Sequence, residues 1–276
     1  MKTKSYLGGY LSIFGALIGL IGHFILFEKW YVAGMSAESA EPGCEILLKY
    51  IHPGLADLGI LAATIFIVSA YGFFTQKKWA FMLSVIAMTI ALLSSWFINI
   101  PFMAASLPPV YFPLFFPYLI CYFILLRTVG NISWSRTLLA LGTGIAYITC
   151  FMNGVSSTSR IITVGSPIFV LVNGPHWIAM MGWAVVTVGI LLTPKEWLKV
   201  VALTSAVLEL AVGIPLAVVT AGDLGRFSLF SLAPIACAIL LVILLWPNLW
   251  ERLTDDKVSL KNKPEVLGSD MPGVAA

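Results

Sequence analysis

The chain has 276 residues, of which 59% are hydrophobic and 11% charged, where an ordinary soluble domain carries about a quarter charged residues. The apolar residues come in runs long enough to cross a bilayer, roughly 18 residues or more each, which excludes a soluble domain. The net charge of +3 is small and unevenly placed, so it speaks of orientation in a membrane and not of a nucleic-acid partner.

The N-terminus has Lys2 and Lys4 before an apolar run. The run is too long for a signal peptide and no small-residue cleavage site follows, so a retained first span over about Tyr6 to Phe27 is expected. Gly8, Ser12, Gly15 and Gly19 recur on one side of it with His23. Small faces let membrane helices approach closely, which makes this an interior helix. A loop is expected over Glu28 to Lys49, with a short helix near Cys44. The second span, about Ile51 to Phe74, opens with His52, Pro53 and Gly54. Asp57, Thr64 and Tyr71 follow at i, i+7 and i+14, a polar stripe that should face protein or water and not lipid.

After the turn Gln76 to Lys78, a third span runs from about Trp79 to Ile100, with Ser84, Met88, Ala91, Ser95 and Asn99 on one side. An uncharged link, Pro101 to Pro109, leads to a fourth span over about Val110 to Leu126. Pro113 and Pro117 in it remove backbone donors and predict a bend. The loop Arg127 to Arg136 holds the triplet Asn131, Ile132, Ser133, which the orientation below places on the wrong side for glycosylation. A fifth span is expected over about Leu138 to Gly154. Val155 to Pro175 is too short in its apolar part to span. It reads as an interfacial or re-entrant piece, or as an extension of a flanking helix. The sixth span is about His176 to Leu192, with His176, Met180, Trp183 and Thr187 on one face. The seventh, Leu198 to Val219, carries Glu209 near its middle. After a loop over Ala221 to Arg226, the eighth is about Phe227 to Leu245, and a charged tail rich in Gly and Pro follows Trp250, expected to be disordered.

The fold class is therefore an all-α integral membrane protein of about eight transmembrane helices. Eight spans put both termini on one side, with Lys2, Lys4, Lys77, Lys78, Arg127, Arg136, Lys195, Lys199, Arg252, Lys257, Lys261 and Lys263. Lys29, Lys49, Arg160 and Arg226 fall on the other. By the positive-inside rule both termini are cytoplasmic. The turn before span three, QKKW, resembles the turn before span seven, PKEW, and each follows a span opened by a histidine. This points to two parallel four-helix halves, 1–136 and 137–250, followed by a flexible cytoplasmic tail, 251–276. In that alignment Glu209 falls opposite Ala91. The eight-span layout resembles the quinol-reactive anchors of polysulfide-reductase-type complexes. None of that family's motifs is present, so the resemblance implies no function here.

An acid such as Glu209 at mid-span costs roughly 2.5–3.5 kcal/mol on insertion scales, so it calls for a reason. It reads as a proton carrier, a cation partner or a polar anchor for a substrate; the plainer reading is a neutral acid bonded to a neighbouring helix. Asp57 is a candidate second acid on the same path. His23, His52 and His176 all map to the outer leaflet boundary, where they read as metal or haem ligands or as interfacial anchors. No phosphate-binding loop, nucleotide fingerprint, serine-hydrolase elbow or paired-aspartate motif is present, and the four scattered cysteines have no ligand spacing. No cofactor is expected. The leading expectation is a carrier or binding protein for a small or lipophilic molecule. Glu209 is its polar site, and Asp57 with the outer histidines forms a vestibule. The alternatives are a redox or lipid-modifying enzyme subunit, with the histidines on haem or metal or with Asp57 and His52 as acid and base, and a non-catalytic assembly protein. Expected partners are membrane lipid, a small-molecule ligand and other subunits of an oligomer or complex.

Overall fold

A computed structural model describes residues 2–39, 44–163, 165–225 and 227–254. Among these the chain is all helix: α1 (Lys2–Glu38), α2 (Cys44–Phe74), α3 (Ala80–Phe97), the short α4 (Asn99–Ala104), α5 (Phe112–Ile124), α6 (Trp134–Thr163), α7 (Pro167–Leu192), α8 (Glu196–Leu224), α9 (Leu232–Leu245) and the short α10 (Leu249–Thr254). A π-helical turn, Leu125–Val129, extends α5, and a 3-10 turn, Leu229–Ser231, precedes α9. Seven helices are long and apolar enough to cross a membrane, and an eighth, Leu229–Leu245, is shorter. The tail expected to be disordered lies outside the described residues from 255 onward.

α1 packs along α2, α2 along α3, and α3 against α5; α6 packs along α7, α7 along α8, and α8 and α6 against α9. The two sets meet where α2 and α3 touch α6 and where α3 touches α7. The small face expected on α1 is buried as a helix contact. A methyl group added at Gly8 or Gly9 would run into the ring of Phe73 or Phe74 on α2, and one at Gly15 into Phe66. Ser12 hydrogen-bonds Ser84 across the bundle at 3.0 Å. The small and polar side of α3, Ser84, Met88, Ala91, Ser95 and Asn99, is buried too.

Several boundaries differ from those expected. The loop placed at Glu28 to Lys49 is helical as far as Glu38 and again from Cys44, because nothing in Glu28–Ala37 breaks a helix and nothing requires it to end at the membrane surface. α2 therefore begins eight residues before His52 (44 to 52), and Pro53 lies inside it. For Val155 to Pro175 the structure shows the last of the alternatives, an extension of the flanking helices. The segment completes α6 as far as Thr163 and opens α7 from Pro167. The polar SSTSR run is helical throughout; Thr158 within it donates to the Gly154 carbonyl at 2.9 Å, and Thr163 beyond it to that of Ser159 at 3.1 Å. Pro167 takes the first turn of α7, where its missing N–H costs nothing. Pro113 occupies the first turn of α5 in the same way, and Pro117 is inside that helix.

Two side chains close the polar ends of helices. Arg136 is 4% exposed. Its guanidinium donates from Nη2 to the carbonyls of Ile190 at 2.8 Å and Leu191 at 3.0 Å, the last turn of α7. These carbonyls have no helical partner, and a cation at the negative end of a helix answers both needs. Asn99 donates to the carbonyls of Ser95 at 2.9 Å and Trp96 at 3.0 Å, and its Oδ1 accepts from the Tyr111 amide at 2.9 Å. One amide thus closes the whole uncharged link between α3 and α5.

Candidate functional site

The centre of the second helix set is a buried polar cluster built from three helices. Glu209 on α8 is completely buried. Its Oε2 lies 2.8 Å from Nδ1 of His176 on α7, and its Oε1 accepts from Nδ2 of Asn153 on α6 at 2.9 Å. The same Asn153 amide donates to the carbonyl of Phe230 at 3.2 Å, in the 3-10 turn before α9. Gly213, one turn along α8, leaves room for the carboxyl, since a Cβ there would lie 2.8 Å from Oε1. The Cys150 thiol on α6 faces Glu209 and Cys237 on α9.

The depth of this cluster follows from helix lengths. Glu209 is about 20 Å from the start of α8, a helix about 43 Å long at 1.5 Å per residue. A hydrocarbon layer is about 30 Å thick. Wherever that layer lies along α8, it contains Glu209. The same holds for His176, about 14 Å into α7, and for Asn153, about 28 Å into α6. The carboxyl and the imidazole share a short contact, and one proton between them would leave the pair without net charge. That avoids the cost of a lone buried charge. His176 Nε2 and Asn153 Oδ1 are buried with no hydrogen-bond partner among the described residues.

A second cluster lies in the first helix set. His52 Nε2 is 2.9 Å from the Tyr111 hydroxyl, and His23 Nε2 is 3.5 Å from the Ser94 hydroxyl. The His52 ring sits among Phe27, Tyr31, Phe102 and Tyr111 at centroid distances of 5.0 to 5.8 Å. The ring of His23 fills the space above Gly59 of α2.

The five residues singled out in the sequence therefore fall in three places. Glu209 and His176 are direct partners. His23 and His52 lie together elsewhere, and all three histidines are fully buried inside the bundle. Asp57 is alone on the exposed face of α2, with no hydrogen-bond or ionic partner among the described residues. They do not form one vestibule. His176 does not open its helix as expected, because α7 starts nine residues earlier than the apolar pattern implied (167 to 176). Asn153 and Tyr111, the polar residues that complete the two clusters, were not singled out. An uncharged amide deep in an apolar helix was the available signal for Asn153; Tyr111 lies at the end of a link whose path only the fold reveals.

A cavity of about 510 Å³ opens between the helix sets, at the end of the bundle opposite the N-terminus. Phe97, Met152 and Phe230 form apolar walls; Ser156, Arg160 and Ser228 add polar groups. Among the described residues no group of three or more His, Cys, Asp or Glu side chains could hold a metal ion. No family model matches the chain, and neither a curated protein nor a solved structure was found to be similar to it.

Proposed function

We propose that this polytopic helical membrane protein is a carrier or binding protein for a small lipophilic molecule, which it takes into the cavity beside α6, and that Glu209 with His176 is a proton-holding pair coupled to that cavity. One observation carries the reading. Phe230 lines the cavity and its carbonyl is held by Asn153, the same amide that holds Glu209. A ligand that displaces Phe230 disturbs the Asn153 bond and with it the balance of the proton between carboxyl and imidazole. The cavity volume lies within the roughly 300–1,000 Å³ of small-molecule pockets, and mostly apolar walls with a few hydroxyls suit an amphipathic guest.

On this reading α9 with its preceding turn is an eighth crossing. Leu229–Leu245 is about 26 Å long and sits at the short end of what spans a bilayer. Both termini are then cytoplasmic by the placement of lysine and arginine, and the cavity opens outward. Two four-helix halves, α1–α3 with α5 and α6–α9, are supported by the repeated order of packing. The polar residues do not repeat with it, since His52 lies 24 residues before Gln76 and His176 only 18 before Pro194 (76−52 and 194−176).

Native mass spectrometry of the full chain, released gently from detergent, tests the proposal. The wild type is expected to retain a small organic adduct whose occupancy changes with pH. Ser156→Trp, which fills the cavity, removes the adduct. Glu209→Gln keeps the adduct and loses its pH dependence. Bare wild-type protein at every pH, or an adduct indifferent to both substitutions, refutes it.

A further inference from the structure

The exposed face of α2 has a pattern that the interior of this chain does not explain. Tyr50, Gly54, Asp57, Leu61, Thr64, Val68 and Tyr71 are all exposed. Their spacing is 4, 3, 4, 3, 4 and 3 residues. That spacing keeps them on one face of the helix for about six turns, as a seam with another helix requires. Tyr50 and Tyr71 are 71% and 63% exposed. They stand about 32 Å apart along the helix, close to the thickness of the hydrocarbon layer, which places these amphipathic rings at its two surfaces. Asp57 is then about 10 Å inside that layer. The whole length of α2 gives the same answer, because any 30 Å window on this helix of about 46 Å contains Asp57.

A carboxyl at that depth and on that face is costly against lipid. It has no hydrogen-bond or ionic partner among the described residues, and the seam on either side of it carries no cation. Gly54 is a second anomaly. Every other glycine in α1 and α2 is pressed by a neighbour, so that an added Cβ would come within 3.1 Å of another atom, whereas at Gly54 it would meet nothing. A glycine inside a helix is unfavourable unless something must approach it closely. Among the described residues nothing does.

We propose that the α2 seam is the interface with a second copy of this chain. Two copies inserted in the same direction are related by a two-fold axis along the membrane normal, so each seam residue meets its own equivalent at the same depth. The seam is self-complementary under that operation. A protonated carboxyl is both donor and acceptor, so Asp57 of one copy bonds Asp57 of the other. Gly54, one turn away, lets the backbones come close enough for this, as small residues do at membrane helix contacts. Leu61 and Val68 pack, and the Thr64 hydroxyl, which already donates to the Leu61 carbonyl at 2.7 Å, keeps its acceptor capacity for the facing helix. A single carboxyl in a seam that is otherwise uncharged also fixes register and partner number.

The test uses the full chain in lipid nanodiscs and in detergent, with single-molecule photobleaching to count copies and oxidative cross-linking to read the interface. The wild type is expected to be dimeric. Leu61→Cys is expected to cross-link across the axis, while Val185→Cys, equally outward-facing on α7, does not. Asp57→Leu raises the dissociation constant at least about tenfold, or 1.4 kcal/mol, and Asp57→Asn, whose amide is also donor and acceptor, stays within a few-fold of wild type. The unsubstituted chain is the cross-linking control for the native cysteines. A monomeric wild type, which would leave Asp57 facing lipid, overturns the proposal. So does a different polypeptide at the seam, equal cross-linking from Val185→Cys, or an Asp57→Leu variant that associates as tightly as wild type.

Discussion

Removing one partner of the Glu209–His176 pair is the sharpest test of what the buried cluster contributes. His176→Leu keeps volume and apolarity but leaves Oε2 of a fully buried carboxyl without the group 2.8 Å away. Breaking a buried pair from one side costs about 3–5 kcal/mol in water-soluble proteins. Polar contacts between membrane helices are weaker, near 0.6 and up to about 1.7 kcal/mol. Here the carboxyl also keeps its Asn153 bond, so the expected loss is about 2–3 kcal/mol. Glu209→Leu strands His176 Nδ1 and half of the Asn153 amide, at a similar cost. The double variant strands only half of the Asn153 amide and is expected within about 1 kcal/mol of the better single variant, a coupling of about 2 kcal/mol. Glu209→Gln preserves both contacts, since its amide donates to His176 and its oxygen still accepts from Asn153, and should lie within about 1 kcal/mol of wild type. Reversible unfolding of all four variants in one detergent, followed by tryptophan fluorescence, measures the cycle. Additive single effects, with coupling below about 0.5 kcal/mol, would show that the two side chains do not act as a pair.

Arg136→Met, which keeps the stem and removes the donors to Ile190 and Leu191, is expected to destabilise by about 2–3 kcal/mol in the same assay, the range for hydrogen bonds to a charged group; no change would mean the guanidinium does not close α7. Gly59→Ala drives a methyl group into the His23 ring and is expected to cost about 1–3 kcal/mol as overpacking; a neutral result would place His23 elsewhere. The hydrogen bond from Lys199 at 3.0 Å holds the Glu251 carboxyl below the usual carboxylate range. Its contribution is therefore present at neutral pH and lost as the pH falls through that depressed value. Because the pair is exposed, Glu251→Gln should change stability by less than about 1 kcal/mol at pH 7 and by nothing in high salt.

Much of the architecture was legible because the bilayer requires long apolar runs, and most interior faces were legible because small and polar residues recur at helical spacing. The α1 face from Gly8 to His23 and the α3 face from Ser84 to Asn99 are buried as that spacing implied. Helix ends were not legible. Outside the hydrocarbon a helix can continue without apolar residues, so hydropathy marks the membrane surface and not the last turn. This is why Glu28–Glu38 and Val155–Thr163 proved helical. The pairing of Glu209 with His176 was hidden for a related reason. The two turns align Glu209 with Ala91, which directs attention to the opposite half, whereas the partner is on the next helix of the same half.

The two polar clusters differ in a way that bears on where the chain can respond to a proton. The first holds imidazoles against hydroxyls, His52 with Tyr111 and His23 with Ser94. Glu209 is the one fully buried acid among the described residues. A hydroxyl beside an imidazole leaves that ring neutral with its bond intact. A carboxyl beside an imidazole can place the proton on either partner, and the two arrangements make different demands on Asn153. On the proposed reading the first helix set is then a fixed wall of the cavity. The response lies in α6, in α8 and in the turn that carries Phe230, where a change of bonding at Asn153 reaches the cavity directly. An α2 dimer axis fits the same division, because it joins two copies through the helix set that has no reason to move.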